Sequence, residues 1–310
     1  MKIGYPCINL TLECRPSRTF RLASYSERIL AKTVENNLDC MQQILNFNLE
    51  HNILFLRITS DLVPFASHPI CKFNWQEHFD DGLRTFGDAV KKGKVRISMH
   101  PDQFTLINSP DERIFENSQR ELIYHTQLLD LMGLDEAAKI QIHVGGVYGN
   151  KCESTNRFVK RFHELGDEIR RRLVVENDEK SYDINDCFSI YLETGLPLLF
   201  DAFHHEVNNS GESVEEGVQL SSQTWRRQDG IPMVDYSSQQ RGERKGTHVE
   251  TIDIEHFKKF LEKTRKQNFD IMLEIKDKEK SALKAIKIAL TDPRFIKATE
   301  GSNIGGHNRN

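Results

Sequence analysis

The chain has 310 residues and a formal net charge of −4, long for an ordinary domain but well matched to a single α/β barrel, which typically needs roughly 250 residues. Hydrophobic residues at 38% and charged residues at 28% fit a soluble globular protein; no apolar run approaches the ~20 residues of a membrane span, and the start MKIGYPCINL lacks the regions of a signal peptide. The charge argues against a generally basic nucleic-acid coat, although where Lys and Arg lie matters more than their sum. Six cysteines (Cys7, Cys14, Cys40, Cys71, Cys152, Cys187), with no CxxC spacing, fit a reducing cytoplasm. Cys7 and Cys187 read as packing residues rather than nucleophiles.

Strand-like and helical runs alternate through nearly the whole length. Ile3 to Leu12 reads as a strand, followed by a helix over Ser26 to His51 with Ile29, Leu30, Val34, Leu38, Met41, Ile44 and Leu45 at helical spacing. Strands at Ile53 to Ile58, Val95 to His100 and Ile140 to Val144 are followed by helices at Trp75 to Lys91, Asp111 to Met132 and Ser154 to Arg170. The fifth strand, Leu173 to Glu176, precedes a helix at Asp183 to Thr194, and the sixth, Leu198 to Phe203, a short helix at Ser213 to Leu220. Ile231 to Tyr236 leads through a polar loop to a helix at Asp253 to Gln267; Ile271 to Ile275 and a helix at Glu279 to Leu290 complete the series.

Strict β/α alternation implies parallel strands with right-handed crossovers, and eight units close a barrel. The fold class is therefore α/β, a single (β/α)8 TIM barrel over residues 1–292, with 293–310 as a flexible tail because periodicity is lost there and Gly and Asn increase. An open doubly wound sheet competes, but no GxGxxG or GxxxxGKS follows the first strand.

The apolar runs end in residues that suit a metal. Arg171-Arg172-Leu173-Val174-Val175-Glu176 is one case; KVRISMH to His100, KIQIH to His143, PLLFD to Asp201, MVD to Asp235 and DIMLE to Glu274 are others. A buried strand tolerates an ionisable tip only where it meets solvent, a partner or a metal. The C-terminal strand ends of a barrel carry its chemistry. With His204 and His248 they collect an imidazole and carboxylate set that suits Zn or Mn, sufficient for two or three ions with bridging carboxylates. Such multinuclear sites clamp both oxygens of a phosphodiester displacement. His51, His78, His125, His163, His256 and His307 read as structural or solvated.

Basic residues recur in the loops: Arg15, Arg18 and Arg21 after the first strand, Lys151 after the fourth, Arg226 and Arg227 just before the seventh, and Arg241, Arg244 and Lys245 after it, most of them sharing the face with the metal ligands. Such a face suits a polyanion backbone. The turn His100-Pro101-Asp102-Gln103-Phe104 sets an amide and an aromatic side by side, a pair able to wedge into stacked bases. Tyr5, Asn9, Phe65, His68 and Tyr148 are candidates to line the same cleft.

GYPCINLTL at the start, LVPFASHP at 62–69, ISMHPDQF at 97–104, IHVGG at 142–146, VVEND at 174–178, FDAFHH at 200–205 and DYSSQ at 235–239 resemble the UV damage endonucleases over about residues 1–290. That resemblance implies a barrel related to endonuclease IV and the xylose isomerase group. It implies nicking of duplex DNA immediately 5' to cyclobutane pyrimidine dimers and 6-4 photoproducts, leaving a 3'-hydroxyl and a 5'-phosphate. Mn2+ is the expected ion, two or three of them, with Zn2+, Mg2+ and Co2+ as alternatives; the expected partner is UV-damaged DNA, with no membrane and no obligate protein partner.

Carried over by residue, the resemblance implies His100, His143 and Glu176 around one ion. Glu176, Asp201, His248 and Glu274 would hold a second, and His204 and Asp235 a third with His68 nearby; Glu176, Glu274 and His143 would be catalytic. Gln103 and Phe104 would fill the gap at the flipped lesion, Tyr5 and Asn9 would face the damaged strand, and Arg241, Arg244 and Lys245 would meet DNA. Members can carry Lys where Met233 stands and His where Asp235 stands, which puts the third ion in question because a thioether is a poor Mn ligand. A sugar isomerase or epimerase on the same barrel is the alternative, which leaves the basic loops and the Gln103-Phe104 turn unexplained.

Overall fold

The computed structural model describes residues 1–298. Eight parallel strands, β1 Ile3–Pro6, β2 Phe55–Ile58, β3 Arg96–Met99, β4 Lys139–His143, β5 Leu173–Glu176, β6 Leu198–Asp201, β7 Met233–Tyr236 and β8 Asp270–Leu273, pair in sequence order. The ring closes where β1 pairs with β8, Ile3 opposite Ile271. The (β/α)8 barrel expected from the alternation is the fold observed.

The helices are α1 Glu27–Glu50, α2 Trp75–His78, α3 Asp80–Lys92, α4 Glu112–Leu131, α5 Lys151–Glu164, α6 Asp167–Arg170, α7 Ile184–Thr194, α8 Ala202–Val207, α9 Val214–Ser222, α10 Ile254–Lys263 and α11 Glu279–Ala289. Local chemistry fixes their ends. Ser26 caps α1 by accepting from the Ile29 amide, and reciprocal capping boxes start α7 (Asp183 with Asp186) and α9 (Ser213 with Glu216). Gly195 ends α7 at φ 69°, where a side chain would be strained. α1 buries Leu30, Val34, Met41, Ile44 and Leu45 against the sheet, whereas Ile29, counted with them by spacing, is 40% exposed. Several expected boundaries move: the first strand stops at Pro6, the helices read over Trp75 to Lys91 and Ser154 to Arg170 are each divided, into α2 with α3 and α5 with α6, and the sixth strand passes at Asp201 directly into α8, which the sequence reading merged into the strand.

Side-chain alternation divides each strand between two cores. Outward residues such as Ile97, Met99, Ile140 and Ile142 pack under the helices. Inward residues Phe55, Val174, Leu199, Met233 and Met272 make a separate apolar layer across the barrel. Beneath that layer Arg96 pairs with Asp270 (3.0 Å) and Lys139 with Asp229 (2.6 Å). Above it lies the mouth.

The cysteine reading needs correction. Cys14 and Cys40 form a disulfide, with Cα atoms 5.6 Å apart, while Cys7, Cys71, Cys152 and Cys187 are free thiols. The loop after β1 folds onto α1, where Asn37 accepts from the Arg18 amide and donates to its carbonyl, both at 3.0 Å, and this docking brings the two sulfurs together. The segment after 292 is also tied down as far as 298. Ile296 donates to the Met1 carbonyl (3.0 Å), Ala298 to Asn52 Oδ1 (2.9 Å), and the Arg294 guanidinium reaches the carbonyls of Leu261, Thr264 and Gln267. The remainder of the predicted tail, with His307, lies outside the described residues. No helix among the described residues is long and apolar enough to cross a membrane.

Candidate metal centre

Inward parity sends the tips of six strands into one mouth. Lys139, Gln141 and His143 alternate along β4 with outward Ile140 and Ile142, so the same strand supplies a cation at the bottom, an amide in the middle and an imidazole at the top. His100 follows β3, Glu176 ends β5, Asp201 ends β6, Asp235 lies in β7 and Glu274 follows β8. Asp201 also caps α8, accepting from the His204 amide at 2.7 Å, which holds His204 over the centre. These residues form three trios whose ligand atoms lie within 4.8 Å of one another: His100, His143 and Glu176; Glu176, Asp201 and His204; Asp201, Asp235 and Glu274.

Glu176 is the hub, 1% exposed. Its Oε2 lies 3.6 Å from His100 Nε2 and 3.9 Å from His143 Nε2, and its Oε1 lies 3.3 Å from His204 Nδ1. Burial alone would raise its pKa, but His143, His204 and His100 outweigh it and hold the carboxyl down at about 2. Burial pushes His100 down to about 4, so its imidazole is neutral, and its Nδ1 faces the Pro101 carbonyl at 2.6 Å, leaving Nε2 bare toward Glu176. Burial also lifts Asp201 to about 6, partly offset by His204. His204 is raised to about 11, because Asp201 and Glu176 overcome its desolvation.

The donor set fits divalent ions. Asp201 Oδ2 and His143 Nδ1 are buried with no hydrogen-bond partner among the described residues, and a carboxylate oxygen left so is costly unless a cation satisfies it. His100 and His248 each engage a backbone carbonyl through Nδ1, the latter that of Glu274 at 2.8 Å, which orients the ring and frees Nε2 as metal-ligating histidines require. Imidazole and carboxylate without thiolate suits Mn, Zn or Mg over softer ions.

The grouping differs from the expected one. His204 joins Glu176 and Asp201 rather than Asp235, its Nδ1 being 3.6 Å from Asp201 Oδ2, and His248 stands beside it with ring centroids 6.0 Å apart. Met233 is wholly buried in the apolar layer, one level below the mouth. Two residues went unnoticed in sequence. Arg57, in β2, donates to Asp235 Oδ2 (2.6 Å), to Gln141 Oε1 (2.7 Å) and to Glu274 Oε1; Gln141 donates to Glu176 and Asp235, both at 2.8 Å. A lone Arg inside ILFLRI and a lone Gln inside KIQIH were the available signals.

Residues read as facing DNA separate into two groups. Tyr5 and Asn9 must be withdrawn from the cleft: outward parity on β1 sends Tyr5 under α1, where it is fully buried and donates to Asn48 Oδ1 (2.8 Å) while accepting from Asn9. Asn9, 3% exposed, also braces the following turn by accepting from the Thr11 and Leu12 amides. His68 joins none of the three trios and lines a cavity of about 410 Å³ with Asp102, Phe104 and Arg120. Phe104 is 72% exposed. Gln103 borders a second cavity, about 290 Å³, shared with His100, His143 and Lys180, so the turn adjoins the metal trios. Arg241, Arg244 and Lys245 are exposed in a loop closed by pairing of Gln239 with His248.

The UV-endonuclease UvdE family profile matches residues 1–305. The chain is 38% identical over 288 residues to a UV DNA damage endonuclease of Clostridium perfringens, covering 92% of this chain and 70% of that protein. It is 34% identical over 314 residues to one of Bacillus cereus, covering 98% and 99%. The crystal structure of SacUVDE superposes with a TM-score of 0.90 at 44% identity, covering 94% of this chain and 98% of that one.

Proposed function

Since the chain belongs to the UV-endonuclease UvdE family, we propose that it is a metal-dependent DNA-repair endonuclease that nicks duplex DNA immediately 5' to cyclobutane pyrimidine dimers and 6-4 photoproducts, leaving a 3'-hydroxyl and a 5'-phosphate. It acts in the cytoplasm, on chromosomal DNA, without an obligate protein partner. The sugar isomerase alternative is not favoured by the matches. The observation that carries the reading is the buried Glu176 carboxylate facing three imidazoles from three separate elements.

His100, His143 and Glu176 hold one ion, and Glu176, Asp201 and His204 the next, with Glu176 shared; His248 and Glu274 border the second. Mn2+ is the proposed ion. Bound divalent ions supply charge neutralisation at the phosphate oxygens and the departing 3'-oxygen. Arg241, Arg244 and Lys245 meet the phosphate backbone. Gln103 and Phe104 enter the duplex where a damaged dinucleotide, poorly stacked and paired, opens at lower cost than normal bases.

The test is a 5'-labelled duplex with one cyclobutane dimer. The expected product ends immediately 5' to the dimer in a 3'-hydroxyl that a polymerase extends, and Glu176→Gln gives none while remaining folded by circular dichroism. A break elsewhere, or full activity in Glu176→Gln, would contradict the reading.

A further inference from the structure

Three ligand trios invite a three-ion centre, but a guanidinium already pairs with two members of the third. We propose that Arg57 is a built-in cation that takes the place of a third divalent ion at Asp201, Asp235 and Glu274, so that this barrel loads two ions and Asp235 ligates neither. The inference rests on the metal-dependent reading above.

Arg57 grips two members of that trio, Asp235 at 2.6 Å and Glu274, with the Arg57 and Asp235 side chains only 4% and 0% exposed. A guanidinium does not deprotonate in a protein, so its charge is permanent. A divalent ion in the same trio would sit against that charge in a largely buried space that opens to water only at Glu274, 20% exposed, so the repulsion would be weakly screened. Gln141 locks the arrangement: its Oε1 accepts from Arg57 while its Nε2 donates to both Asp235 and Glu176, so Asp235 Oδ2 receives two donors. Nothing else on β7 substitutes as a ligand, because inward Met233 belongs to the apolar layer.

The topology explains why this corner is filled by a side chain. β1 and β2 are the two strands that bring no ligand to the mouth, and β1 presents Gly4 and Pro6 at its inward positions. Arg57 from β2 reaches across that gap to carboxylates on β7 and β8. Among the described residues neither Asp201 Oδ2, which faces His204, nor Asp235 Oδ1 has a hydrogen-bond partner, so what separates the trios is the guanidinium, which pairs with two members of the third and none of the second.

The experiment is metal counting. Chelator-stripped protein is reloaded with Mn2+, desalted and assayed by elemental mass spectrometry, with free Mn2+ followed by electron paramagnetic resonance during titration. Two equivalents are expected in the native chain, two in Asp235→Asn, which keeps an acceptor for Arg57, and three in Arg57→Met. Three equivalents in the native chain, or loss of one in Asp235→Asn, would overturn the inference while leaving the metal-dependent reading in place. A folded Arg57→Met that still holds two would also overturn it; if that variant does not fold, Asp235→Asn decides. Uptake of no metal by the native chain would overturn the metal-dependent reading itself and the inference with it.

Discussion

At the level of single residues, Glu176 and Phe104 represent opposite ways of spending a side chain. Glu176 is a buried charge kept ionised by imidazoles, whereas Phe104 leaves a large ring exposed beside the mouth. In the proposed reading this exposed ring would serve as a stacking platform for a base, and base stacking contributes roughly 1–3 kcal/mol. Replacing Gln103 and Phe104 together by Ala should therefore weaken binding to dimer-containing duplex about 10- to 100-fold with Mn2+ content unchanged. Fluorescence anisotropy measures the affinity, and an unchanged value would remove the turn from lesion recognition. Most of the ligand set was legible because an apolar run that stops at an acid or an imidazole has few other uses. Arg57 and Gln141 were not, since each is flanked by apolar residues that match the strand pattern on their own. Tyr5 was misplaced because parity within a strand has no absolute origin in sequence; only pairing of Gly4 with Phe55 fixes which face looks inward.

Between elements, ion pairs and caps hold the helices in the positions that the mouth requires. α8 carries His204 into the centre, and its far end is fastened to α10 by Glu206 and His256, 2.9 Å apart, with Tyr236 Oη 2.7 Å from the other ring nitrogen. The hydrogen bond to Glu206, ahead of the opposing desolvation, raises the His256 pKa. A group whose folded pKa lies above its unfolded value stabilises fully below the unfolded value, about 6.5 for His, and loses that contribution as pH rises through the folded one. His256→Ala should thus lower stability more at pH 5.5 than at pH 9, by up to about 1 kcal/mol given the partly exposed pair. Urea denaturation at the two pH values checks this, and an equal loss at both would show that packing alone is involved. This pair was not legible beforehand, because residues 50 apart in the chain meet only once the barrel is assembled.

The whole molecule is a stack of three interiors: ion pairs at the N-terminal end, an apolar layer in the middle, and the ligand-lined mouth. Eight β/α units predicted that architecture because parallel strands with crossover helices leave few ways to bury both faces of every strand. The polar floor was not foreseen, since Lys139 and Asp229 are 90 residues apart and each reads as a surface charge. Lys139 Nζ lies 2.6 Å from Asp229, both side chains fully buried, and 2.8 Å from the Arg171 carbonyl. Asp229→Ala leaves that ammonium uncompensated and should cost about 3–5 kcal/mol, read as a lower urea midpoint; a loss under about 1 kcal/mol would mean that water reaches the floor.

The central claim, that this mouth uses divalent ions to cut DNA at UV lesions, meets its most direct test in one comparison. Chelator-stripped protein is incubated with a duplex carrying a single cyclobutane dimer and with the matched undamaged duplex, each with and without added Mn2+. The account predicts a nick in the damaged strand only, and only with the ion restored. Equal cutting of both duplexes, or cutting that persists without metal, would contradict it.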